Sequence, residues 1–165
     1  MTRVVQAFAE RVSKGKFGPD LQVTYRVVGG MPSQRVNYEV DVNSVGGATV
    51  AASDARISRT PKRASIAPEN LDVPGLFKHI SVGLQSLRPA SRASFAPDAA
   101  VGSITIRVGA DEETFYFVPE AEKRRAPGSG VAPSMERALQ RFWGIAKDVV
   151  EAKGETEGYE GRKRE

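Results

Sequence analysis

Between Ser103 and Val118 the chain reads SITIRVGADEETFYFV, a pattern that leaves room for little besides a β-hairpin. Ile104, Ile106 and Val108 alternate with Ser103, Thr105 and Arg107, the period of a strand with one buried face. Thr114–Val118 returns as an aromatic and β-branched strand. The intervening Gly109-Ala110-Asp111-Glu112-Glu113 has turn chemistry, so the acidic residues are expected at a solvated tip.

A hairpin needs further strands and something to cover one face. Leu21–Val28 places Leu21, Val23, Tyr25 and Val27 on one side, and Arg35–Val42 does the same with Val36, Tyr38, Val40 and Val42. Ala48–Ser53 completes a meander as a weak strand, because alanine is a poor strand former. The pairs Gly29-Gly30 and Gly46-Gly47 read as turns between these strands. Neither precedes a helix, so neither makes a phosphate-cradling loop.

Three segments have helical periodicity. Thr2 caps a short N-terminal helix with Val4, Val5, Phe8, Ala9 and Val12 on one face, expected to lie against the sheet. Asp72 caps Val73–Leu87, whose Val73, Leu76, Phe77, Ile80, Leu84 and Leu87 form an apolar stripe. Ser134 caps Met135–Lys153, with Met135, Ala138, Leu139, Phe142, Ala146, Val149 and Val150 facing inward and Trp143 flanking them. The stretches 54–70, 90–102 and 120–133 lack apolar periodicity and read as exposed loops.

The expected architecture is a single α+β domain over residues 1–154. It has an antiparallel sheet of about five strands, two main helices packed on one face, and a short N-terminal helix. Residues 155–165 are polar, charged or glycine apart from Tyr159 and read as a disordered charged tail.

The order of these elements resembles that of the emfourin-like family, small bacterial proteins that inhibit thermolysin-type metalloproteases. The residues that carry it are Val27-Val28-Gly29-Gly30, the Val40-Asp41-Val42 strand, the helix with Leu76, Ile80 and Leu84, the pair Ile104–Val108 and Phe115–Val118, and a closing helix. The resemblance spans 21–150 in element order. It implies an inhibitor-type protein binder and carries over no functional residue. The segment 54–70, the N-terminal helix and the tail fall outside it.

Composition narrows the chemistry. With no cysteine, the chain has no disulfide, thiolate metal site or cysteine nucleophile, which also fits a reducing, cytoplasmic setting. The apolar runs are far too short for a membrane span, and the N-terminus lacks the apolar core of a signal peptide. His79 is the sole histidine. With neither Cys nor a second His beside it, and no Gly-x-Ser-x-Gly in the chain, it reads as the edge of a helix stripe. No catalytic residue, metal ligand or cofactor is expected.

The net charge of +4 is uneven: residues 1–100 hold 13 Lys/Arg against 8 Asp/Glu, and 101–165 hold 11 against 12. Three basic stretches stand out: Arg56, Arg59, Lys62 and Arg63; Arg88 and Arg92; and Lys123, Arg124 and Arg125. Converged, they would attract a polyanion, but no aromatics are interleaved for base stacking. The expected function is therefore a non-enzymatic protein-interaction domain, binding through loops or a sheet edge. The alternative is a nucleic-acid accessory protein using the basic loops. An enzyme built on His79 and a carboxylate ranks third.

Overall fold

Period-two burial over Leu21–Val28 makes β1, whose Leu21, Val23, Tyr25 and Val27 are buried while the residues between them are not. The computed structural model describes residues 2–28, 36–54, 60–85, 101–117 and 133–151. Within these, β2 (Val36–Asn43), β3 (Gly47–Asp54), β4 (Lys62–Ile66), β5 (Val101–Val108) and β6 (Asp111–Phe117) join β1 in one sheet. The order is β4-β3-β2-β1-β5-β6, and every neighbouring pair is antiparallel.

Among the described residues, three helices cover one face of this sheet. The first, α1 (Arg3–Ser13), starts at Thr2, whose hydroxyl accepts from the Val5 N–H at 3.3 Å. It buries Val5 and Phe8 toward β5 and β6. Helix α2 (Val73–Leu84) starts at Asp72, whose carboxylate accepts from the Gly75 N–H at 3.0 Å. It bridges α1 and the last helix, α3 (Pro133–Glu151), and α3 crosses β2, β3 and β4. Phe77 of α2 lies 5.6 Å from Phe8, ring centre to ring centre, while Phe142 of α3 lies 5.0 Å from Tyr25. These aromatic contacts fasten the helix layer to itself and to the sheet.

The structure corrects two sequence expectations. Among the described residues the sheet has six strands where the sequence pattern predicts about five, because part of the segment read as an exposed loop is β4, followed by a 3₁₀ turn at Pro68–Asn70. Only Ala64 and Ile66 of β4 are buried, too few inward residues to stand out from the cations beside them. The strand is held by its partner: Ala48↔Ile66, Val50↔Ala64 and Ala52↔Lys62 set the register against β3. Gly47 makes that approach feasible, since its φ is +75° and a Cβ there would lie 2.0 Å from the Ile66 carbonyl oxygen. The alanines of β3 have a packing reason as well. Ala48, Ala52 and Ala64 share one buried cluster with Ala138 and Ala146 of α3, which packs on β3 and β4, so small side chains on both sides suit a close approach.

The second correction concerns the hairpin. Its turn is Gly109-Ala110 alone, closed by Val108↔Asp111. Gly109 takes φ +62° and Ala110 stays at negative φ, the arrangement of a type II′ turn. The acidic residues Asp111–Glu113 therefore belong to β6 and not to a tip. Glu112 reaches Arg107 at 2.8 Å and Glu113 accepts from the Thr2 hydroxyl. Extended pairing satisfies both carboxylates, which a longer solvated turn would have left to water.

Candidate interaction surface

Because all three helices lie on one side, the other face of the sheet is bare among the described residues. Its side chains line up in rows across the strands. The middle row runs Ser65–Thr49–Asp41–Thr24–Thr105–Thr114, one residue from each strand. Asp41 accepts from the Thr24 hydroxyl, and the hydroxyls of Thr105 and Thr114 lie 2.8 Å apart. To one side runs Arg63–Ala51–Glu39–Arg26–Ser103–Tyr116, and to the other Asn43–Gln22–Arg107–Glu112. The twist of the sheet leaves a shallow concavity of about 470 Å³ over Thr24, Arg26, Glu39, Thr105, Thr114 and Tyr116.

Two pairs of opposite charge lie on this face. Arg26 lies 3.6 Å from Glu39, and Arg107 pairs with Glu112 at 2.8 Å. Cross-strand pairs of opposite charge support the sheet and cancel each other's field. A polyanion approaching here meets a guanidinium already matched by a carboxylate.

Of the sequence-derived binding candidates, Lys62 and Arg63 are described, while Arg56, Arg59, Arg88, Arg92, Lys123, Arg124 and Arg125 lie outside the described residues. Lys62 and Arg63 are consecutive in β4, so they project to opposite faces: Lys62 with buried Ala64 and Ile66, Arg63 with exposed Ser65. The pair Gly29-Gly30 and the tail 155–165 also lie outside the described residues.

His79 sits half-buried on α2, and among the described residues no carboxylate or hydroxyl is hydrogen-bonded to it. No group of three or more His, Asp or Glu side chains among the described residues is placed to hold a metal ion. No helix among them is long and apolar enough to cross a membrane. Between α1 and α2 runs an apolar groove of about 870 Å³ bordered by Val12, Phe17, Pro74 and Val82, with Val82 49% exposed.

The edges of the sheet are what sequence periodicity could not rank. Strand β4 ends one side with five residues, KRASI, and β6 ends the other with seven, DEETFYF. A two-residue turn makes Val108 and Asp111 the closing hydrogen-bonded pair, so the main-chain groups of 111, 113, 115 and 117 point to β5. Those of Glu112, Thr114 and Tyr116 point away from the sheet, and no strand among the described residues pairs with them. A row of N–H and C=O groups that no described strand pairs is a template for another extended segment.

No family model matches the chain, and no curated protein matches it in sequence.

Proposed function

We propose that this chain is a non-enzymatic interaction domain that takes an extended protein segment onto the outer edge of β6. The observation that supports it is the outward row at Glu112, Thr114 and Tyr116, with which no strand among the described residues pairs, continuous with the hydroxyl-lined face. Main-chain pairing would supply affinity, and the side chains of alternate residues would supply selectivity. Inhibition of a thermolysin-type metalloprotease is one form of this activity, the one that the emfourin-like resemblance implies. The alternative, nucleic-acid binding through the basic stretches, is less favoured on the open face, where Arg26 and Arg107 each face a carboxylate.

Thr114→Pro tests the reading. Proline removes an outward N–H and leaves the ladder to β5 in place, as tolerated on edge strands. Tagged wild-type chain in an extract of its native host, under mild salt, is expected to retain a partner that Thr114→Pro does not. Retention unchanged by the substitution, or none by the wild type, counts against the edge. The inhibitor form predicts that a thermolysin-type peptidase loses activity on mixing with the wild type and keeps it with Thr114→Pro.

A further inference from the structure

The β6 edge is compatible with its own copy. We propose that the segment it takes is β6 of a second copy of this chain, paired antiparallel about a two-fold axis at Thr114. This rests on reading the β6 edge as the binding surface.

Within β6, Glu112, Thr114 and Tyr116 present the outward main-chain groups, so a second β6 pairs in a register that matches these residues with one another. In the register centred on Thr114, Thr114 faces Thr114 of the second copy, and Glu112 faces Tyr116 in both directions. Each such pair exchanges both main-chain hydrogen bonds. On the helix side Glu113 then faces Phe115 of the second copy, so an acidic residue of one strand lies along an aromatic residue of the other. Sliding the strands one step toward their acidic ends sets Glu113 against Glu113, and like charges directly opposite are destabilising. The charge pattern of DEETFYF disfavours that slide, and a slide the other way pairs only residues 113–117, so the centred register, where all seven residues pair, is favoured.

The same register continues the open face. The row of Thr24, Thr105 and Thr114 would run on through the second copy, and both helix layers would fall on one side of a joint sheet. Such an interface is isologous and closes at two copies, the commonest symmetry of soluble oligomers. Strand β4 offers only five residues, and its pairing with β6 of another copy would repeat head to tail without closing.

The full chain tests this by mass against concentration, amide exchange and cross-linking. Light scattering is expected to rise from 17.8 kDa to twice that value, and Thr114→Pro should weaken the association at least about tenfold. The amides of Glu112, Thr114 and Tyr116 should slow their exchange as the dimer forms. The chain has no cysteine, so single replacements report register cleanly. Thr114→Cys places the two thiols opposite each other, about 5.5 Å apart between Cα atoms, within disulfide reach. Tyr116→Cys sets them about four residues apart along the strands, roughly 14 Å, and out of reach. Oxidation should therefore cross-link the first variant and not the second.

Equal cross-linking of both variants, or a dimer in which the three amides exchange freely, overturns pairing at Thr114. A mass that climbs past twice the monomer points to head-to-tail joining through β4 and overturns the two-fold. A chain that stays monomeric, yet gains protection at those amides in a native-host extract, overturns self-pairing while keeping the edge as the surface. A monomer whose amides are never protected removes both.

Discussion

The two faces of the sheet are written by the same strands in the same alternating code, and opposite forces hold them. On the helix side Tyr25, Val40, Ile104 and Ile106 are buried against Phe8, Phe77 and Phe142, and each packed methylene contributes about 0.8 kcal/mol. On the bare side the rows around Asp41, Thr24 and Thr105 are joined by hydrogen bonds and exposed ion pairs, which net far less against water. Stability therefore resides on one face, and the other is left free to change.

Substitutions on the two faces should separate cleanly. Phe142→Ala removes a fully buried ring against Tyr25 and should cost about 3–5 kcal/mol by denaturant unfolding. A loss below about 1 kcal/mol would show that α3 does not anchor the core.

Next in size is the buried phenol pair. Burial pushes the Tyr38 hydroxyl far above its ordinary range, and the neighbouring Tyr25 phenol adds to the shift through charge and a hydrogen bond. Tyr25→Phe leaves the Tyr38 hydroxyl without that partner and should cost about 1–3 kcal/mol. The folded-state value lies above the unfolded one, so this stabilisation is complete below pH ~10 and is lost as pH rises beyond it. Above that point stability should fall by up to about 1.4 kcal/mol per pH unit, and Tyr38→Phe should flatten the decline. An unchanged alkaline profile in Tyr38→Phe would assign the loss to another group.

On the bare face the effects should shrink. Glu112→Gln breaks an ion pair whose side chains are both about half exposed, and should cost roughly 0.2–1 kcal/mol, less in high salt. A loss comparable to that of Phe142→Ala would mean the open face carries load, and the contrast between faces would fail.

Smallest of all is the acid response of α1 and its flank. A hydrogen bond from Arg11 holds the Asp20 carboxyl below its ordinary range, and Lys14 does the same for Glu10. Lowered carboxyls stabilise above their unfolded values and lose that contribution as pH falls through the folded ones. A slight drop in melting temperature below pH ~4, erased by salt, is the expected trace. A salt-independent drop would locate the acid sensitivity elsewhere.

The sequence by itself determined every element whose burial repeats along the chain. Leu21–Val28 and the Ile104–Val108 run declare their inward faces through alternation, and Val73–Leu84 declares its own through helical spacing. Thr2 and Asp72 mark helix starts because their side chains satisfy N–H groups a few residues away, which is local chemistry. Tertiary structure decided what depends on partners distant in sequence. Strand β4 exists because Gly47 and the alanines of β3 let a short cationic segment lie flat beside them. Asp111–Glu113 extend because Arg107 and Thr2 stand where the carboxylates arrive. No local pattern could show that β6 would end the sheet: an edge is defined by the neighbour it lacks, and strand order is set by long-range pairing rather than by the residues of the strand itself.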